Sequence, residues 1–387
     1  MTTTIHSVTL IRDDTVVPDA WVAFDGGHVQ QIGVEDSWRD VPADSVLDAS
    51  DIAGPDAILT PGFVDIHGHG GAGHSYDDGP EAIRAARSLH RAHGTTRAVI
   101  SFVSADPDQL AQRVAMVADL VDTDPDILGS HLEGPFLDPG HRGAHDPSTL
   151  LAPNTTIISK LVDAARGTLR QITLAPELPG AAAAIAQFVS AGTAVAVGHT
   201  NADYDATRRA FDTGATVLTH AFNAMPGMQH RSPGPVAAAL ADSRVTIEVI
   251  ADGIHVHTEL VRVLCAAAPH RVALITDAMA AAGSADGNYR LGSLDVEVTD
   301  RVARLRDGGS IAGSTLTQDA ALRTAVAAGV SITDSVSALT SAPARAVGLA
   351  ERFGSLAPGR VADAVLLSSD LHVRRVWAAG QVVPEAK

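Results

Sequence analysis

The chain has 387 residues, 45% hydrophobic and 19% charged, so it can bury a barrel-sized core with roughly 100 residues left over, and two structural units are expected. Its 28 basic against 45 acidic residues leave a formal charge of −17, which argues against nucleic-acid binding and requires a local basic pocket for any anionic substrate. No strictly apolar run reaches roughly 18 residues and no basic-then-apolar leader opens the chain, so no membrane partner is expected and a cytoplasmic location is. The single cysteine, Cys265, excludes an intrachain disulfide and reads as a small core residue.

In chain order, residues 3–59 read as short strands: 7–11, 16–17, 21–24 and 28–32, with Asp25-Gly26-Gly27 as a hairpin turn. These cannot make a core alone. Residues 354–367 and 373–383 read the same way, so the two chain ends are expected to pair into one small β domain. Between them, eight β-like runs, 58–66, 96–103, 127–133, 171–175, 194–199, 216–220, 245–251 and 271–277, alternate with amphipathic helical stretches at 80–93, 108–121, 155–165, 181–191, 203–212 and 258–267. A short helix is expected at 236–240, a turn-rich and β-rich insertion at 283–309, and helices near 316–328 and 335–346. The expected fold is α/β: a TIM-like (β/α)8 barrel over 59–347 with a small β-sandwich from 1–58 and 348–387.

Barrel active sites lie at the C-terminal ends of the strands, and several runs here close on metal-ligand residue types. The first ends Asp65-Ile66-His67-Gly68-His69. Two histidines two apart on an extended segment project to one side and can share an ion. The third ends at Glu133, the fifth at His199, the sixth at His220, the seventh is followed by His255, and the eighth ends at Asp277. Stability does not need imidazoles and carboxylates at the mouth of an apolar barrel. Such ligands suit zinc, iron or another divalent ion that acidifies a water and polarises a carbonyl, with Asp277 shuttling a proton. Of the two lysines, Lys160 lies in a helical pattern and Lys387 at the terminus, so Glu133 is the natural bridge if two ions bind.

The segments at 61–71, 131–136, 198–200, 219–226, 252–255, 276–278 and 312–314, in this order, resemble the amidohydrolase superfamily and within it the N-acetylglucosamine-6-phosphate deacetylases. The resemblance covers nearly the whole chain. It implies hydrolysis of the acetamide of N-acetyl-D-glucosamine 6-phosphate, with Glu133, His199 and His220 binding one divalent ion and Asp277 as acid/base. His67 and His69 are retained, which allows a second ion shared through Glu133 and touching Asp277. His145, in Gly143-Ala144-His145, takes the family's carbonyl-polarising role, with Ala144 in place of its threonine. Asn223, Ala224, Arg231 and His255 are implied for the phosphate, and Ile311, Ala312 and Gly313 for the rest of the substrate. A homodimer or dimer of dimers is implied as well, because in relatives a neighbouring subunit completes the phosphate pocket.

Asp65, His131, His141, His230 and His257 are left outside the ligand set, with Asp65 and His131 as orienters by strand parity. Two other readings compete. Another amidohydrolase, acting on a cyclic amide or an N-acyl amino acid, would keep the metal ligands but not Asn223, Arg231 and His255 together. A noncatalytic sugar-phosphate-binding regulator should have lost Asp277 or a ligand, and this chain has lost none.

Overall fold

Strands from the two chain ends, each too short to bury its own apolar face, meet in one sheet in the computed structural model, which describes residues 2–12 and 14–384. Residues 1, 13 and 385–387 of the expected β unit lie outside the described ones. Strands Thr3–Arg12, Thr15–Asp25, His28–Val34, Ser45–Asp48 and Ile58–Pro61 join Ala364–Leu367, Val373–Ala378 and Gln381–Val382. The sheet curls so that its ends face each other, and the Phe24 and Trp377 rings meet edge-on at 6.4 Å. Ile5, Leu10, Leu59 and Leu366 complete that buried cluster.

The run at 58–66, read as one strand, is two. Ile58–Pro61 pairs with Ala364–Leu367 in the terminal sheet, and Phe63–Asp65 is the first barrel strand. The crossing falls at Gly62, whose N–H donates to Asp363 O and where a Cβ would lie 2.3 Å from Thr96 Oγ1. Beside it, Arg97 on the second barrel strand grips the Asp363 carboxylate with two hydrogen bonds of 2.6 and 2.7 Å, and both side chains are buried. Removing either partner would strand a buried charge, at a cost of about 3–5 kcal/mol.

The barrel strands follow in sequence order: Phe63–Asp65, Thr95–Val103, Ile127–Glu133, Leu169–Leu174, Ala194–Val197, Val217–Leu218, Thr246–Ile250 and Val272–Ile275, all parallel. Side chains close the seam between the first and eighth. Gln318 Nε2 donates to Val64 O and Leu274 O, and Thr276 donates through Oγ1 to Asp65 Oδ2 at 2.6 Å. Outer helices form where apolar residues recur every three or four positions. Helix Thr155–Ala165 buries Ile158, Leu161 and Ala165, and the Asn154 side chain caps its start by accepting from Thr156 N and Ile157 N. The stretch expected as one helix at 335–346 is two, Ile332–Leu339 and Ser341–Ala346, which break at Thr340.

The insertion after the eighth strand is a three-stranded antiparallel sheet, Gly287–Leu291, Leu294–Thr299 and Val302–Leu305. Its apolar side packs Leu291 and Val296 against Val103, Met279 and Ala312 over the barrel mouth. Cys265 is buried, and desolvation pushes its thiol up to about 12. Among the described residues no helix is long and apolar enough to cross a membrane.

Candidate metal centre and cavity

Glu133 closes the third strand at the centre of the barrel mouth, 4% exposed, and five imidazoles face it. His199 Nε2 lies 2.9 Å and His220 Nε2 3.1 Å from Oε1, with His67 Nε2 at 3.5 Å; His69 Nε2 and His145 Nε2 lie 3.2 and 3.4 Å from Oε2. Asp277 Oδ1 stands 3.4 Å from His69 Nε2 and 3.7 Å from His67 Nε2. The fifth, sixth and eighth strands stop two residues short of the functional side chain, because His199, His220 and Asp277 have left-handed φ of 47°, 25° and 48°. Each costs about 1–3 kcal/mol, and such strain persists only where surrounding bonds impose it. Asp277 N–H donates to His67 O at 2.8 Å, and His199 O accepts from Asp138 N–H at 2.9 Å. The kinks turn three side chains from the strand direction onto one point.

Hydrogen-bond partners imply the tautomers. His67 Nδ1 faces Glu248 Oε2 at 3.1 Å and must donate, so in the neutral ring that a metal ion requires Nε2 is the lone pair; it is buried and has no protein hydrogen-bond partner. His199 Nδ1 donates to His141 O at 2.9 Å, so its Nε2 is a lone pair too. His145 is the opposite case: Ser104 N–H donates to its Nδ1 at 3.2 Å, so Nε2 carries the proton toward the site. Ligand atoms of Glu133, His145 and His199 lie within 4.8 Å of one another, as do those of His67, His69 and Glu133. A ring that presents N–H is a hydrogen-bond donor and not a ligand, which sets His145 apart; the other imidazoles fit a divalent ion at His67, His69 and Glu133 and another at Glu133, His199 and His220.

Electrostatics agree with a cation there. Burial opposes ionisation of Glu133, but His67, His145 and the other imidazoles outweigh it and hold its pKa well below the usual carboxylate range. Burial likewise opposes charge on His67 and His69, yet Glu133 and Asp277 raise His67 well above its ordinary value and His69 to about 9. His145 is lowered to about 4, mainly by burial, and stays neutral. His131 donates to or accepts from Ser101 Oγ and Thr173 Oγ1 beneath the site and is held neutral by burial, a support for the His67 ring 4.6 Å away.

A cavity of about 420 Å³ opens above Glu133, lined by His69, His145, His199, His220, Asn223, Ala224, His255, Asp277, Ile311 and Gly313. Leu291 of the insertion roofs it. Gly143 has φ +55°, and a Cβ there would lie 3.0 Å from His199 Cε1, so glycine lets the His145 loop approach. His255 Nδ1 bonds Asp252 Oδ2 at 2.6 Å; burial disfavours its charge, but that bond prevails and its pKa is raised. Two of the expected substrate residues stand elsewhere. Ala312 is fully buried beneath the insertion, and Arg231 is exposed on the loop after the sixth strand, outside the lining. Of the residues left out of the ligand set, Asp65 binds Thr276, His141 offers its carbonyl to His199, His230 is exposed, and His257 accepts from Glu259 N at a helix start. Lys160 sits on an outer helix, paired with Asp108.

Glu248 escaped the sequence reading. It sits mid-strand rather than at a strand end, and its signal was a carboxylate inside the apolar run 245–251.

Residues 58–383 match the profile of the Amidohydrolase family. The N-acetylgalactosamine-6-phosphate deacetylase of Escherichia coli O157:H7 is 39% identical over 84% of this chain and 87% of its own length. The N-acetylglucosamine-6-phosphate deacetylase of Bacillus subtilis is 30% identical over 98% of this chain and 96% of its own. Among solved structures, a variant of the N-acetyl-D-glucosamine-6-phosphate deacetylase of Mycobacterium smegmatis, in complex with N-acetyl-D-glucosamine-6-phosphate, is similar with a TM-score of 0.92 and 42% identity over 99% of both chains.

Proposed function

The chain belongs to the amidohydrolase family of metal-dependent hydrolases, and on that premise we propose that it hydrolyses the acetamide of N-acetyl-D-glucosamine 6-phosphate to D-glucosamine 6-phosphate and acetate, in amino-sugar metabolism. The observation that carries this reading is Glu133 ringed by five histidines, with Asp277 beside it and a neutral N–H donor, His145, on the cavity side.

In this reading Glu133, His199 and His220 would hold one divalent ion, and His67, His69 and Glu133 would hold a second, with Asp277 in reach. Zinc suits the nitrogen and oxygen donors, and iron is the other candidate. A bound ion supplies Lewis acidity toward water and carbonyl. Asp277 accepts the proton of the attacking water and returns it to the amide nitrogen as the C–N bond breaks, so that acetate and the amine leave together. His145 Nε2–H donates to the acetyl oxygen as charge develops on it. Asn223, the Ala224 region and the His255 imidazolium face the phosphate, with Ile311 and Gly313 along the sugar. Arg231 lies outside the cavity of a single chain, so a role at the phosphate requires that it reach the pocket of a second copy, in a homodimer or a dimer of dimers.

Metal analysis combined with acetate release from N-acetylglucosamine 6-phosphate, its galactosamine epimer and unphosphorylated N-acetylglucosamine tests the reading. One or two equivalents of metal and the highest kcat/KM on the glucosamine phosphate are expected. Because the Escherichia coli relative bears the galactosamine name, a higher kcat/KM on that epimer would move the substrate to it. Release from neither phosphorylated sugar by the metal-loaded protein overturns the deacetylase.

A further inference from the structure

The centre of the seventh barrel strand, Thr246–Ile250, points a carboxylate into the barrel interior below the metal position. Glu248 is 0% exposed. Its Oε2 accepts from His67 Nδ1–H at 3.1 Å, its Oε1 accepts from Gln171 Nε2 at 2.7 Å, and the His220 N–H reaches Oε2 at 3.4 Å. A buried carboxylate is costly unless donors and a nearby positive charge meet it. Of the three donors, Gln171 is neutral and His220 offers only its backbone N–H; the third is the His67 imidazole, whose other nitrogen faces Glu133 and Asp277.

We infer that Glu248 is a positioning residue that fixes the His67 ring and tautomer for an ion at the His67, His69 and Glu133 position. It acts through His67 and touches neither substrate nor ion. A carboxylate behind a ligand imidazole orients the ring and raises the basicity of the ligating nitrogen. The contact with His220 N–H joins it to the strand end that presents the other ligand set, but only through backbone, so its effect is specific to the His67 side. The inference rests on the metal-centre reading.

The test is chelator competition on the Glu248→Gln protein, counting ions and measuring the affinity of each, with the thermal midpoint of the metal-free protein recorded to show that it folds. A 10–100-fold loss of affinity for one ion, with the other retained, is expected. In a His67→Gln background the Glu248→Gln change should cause no further loss, because both act through one interaction. Wild-type affinity for both ions, equal losses at both, or additive losses overturn the inference, since a purely structural role predicts one of these. Should the variant not fold, ¹⁵N NMR of histidine-labelled, zinc-loaded wild-type protein decides it: His67 must carry its proton on Nδ1, and the opposite tautomer overturns the assignment. A wild-type protein that binds no ion sinks the proposed function as well as this inference, whereas unchanged affinities in the variant sink the inference alone.

Discussion

His199 Nε2 and His220 Nε2 stand 3.0 Å apart, each within 3.1 Å of Glu133 Oε1. The three atoms converge at hydrogen-bond distance, and a divalent ion placed among them would meet two imidazole nitrogens and a carboxylate oxygen.

Asp277→Asn should lower turnover by ~10² or more while metal content and substrate affinity are largely kept, the scale of losing a general acid/base. Its position 3.4 Å from His69 and on the cavity wall motivates this. Steady-state kinetics with metal quantification checks it, and near-wild-type turnover removes Asp277 from the chemistry.

His145 should separate a donor from a ligand. With Nδ1 accepting from Ser104 and Nε2–H facing the cavity, His145→Ala should cut kcat by ~10²–10³, the cost of one donor to a developing oxyanion. Metal stoichiometry should not change. Loss of an ion from the variant would make His145 a ligand instead.

The phosphate should be read by charge. A −17 chain repels an anion unless local cations prevail, and His255 keeps its proton to higher pH than an ordinary histidine. KM for the phosphorylated sugar should therefore rise as pH climbs through that raised pKa, and His255→Ala should abolish the dependence. A charge-assisted hydrogen bond contributes ~1.5–3 kcal/mol, so two or three lost together should cost unphosphorylated N-acetylglucosamine ~10³ or more in kcat/KM. Arg231→Ala should lose more activity on the phosphorylated sugar than on the neutral one. Equal fold losses would detach Arg231 from the phosphate.

Acid should destabilise the protein through His90. Its buried Nε2–H donates to Gly70 O at 2.9 Å, and burial lowers its pKa to about 4. Between pH 6.5 and 4 the unfolded chain binds a proton that the folded protein refuses, so stability is full above pH ~6.5 and falls with pH until the folded group protonates. About 2 kcal/mol should be lost from this group between pH 7 and pH 5. Urea denaturation of the metal-free protein at both values measures it. His90→Gln, which keeps a donor for Gly70 O, should remove this group's share and leave that of the likewise lowered His131 and His145, and an unaltered slope would acquit His90.

Local pattern alone announced the barrel and the placement of its chemistry. Period-two spacing put His67 and His69 on one side, and the change from apolar run to imidazole or carboxylate marked Glu133, His199, His220 and Asp277, because a barrel strand is buried until it reaches the mouth. The same pattern could not divide residues 58–66 between two sheets, since Ile58–Pro61 and Phe63–Asp65 are equally apolar and only their pairing partners differ. Nor could it find Glu248 or Gln318. Their roles depend on residues 181 and 254 positions away in the chain, His67 and Val64, which meet them only when the barrel closes. The tautomer that separates His145 from the proposed ligand histidines was likewise decided by tertiary structure, because a ring's free nitrogen is set by the partner its other nitrogen finds, here the Ser104 N–H just past the end of another strand. Residue type and spacing thus sufficed for which side chains reach the mouth, since strand geometry is local. Which of them donates, which accepts and what stands behind them is a property of contacts between distant segments, and those exist only in the folded chain.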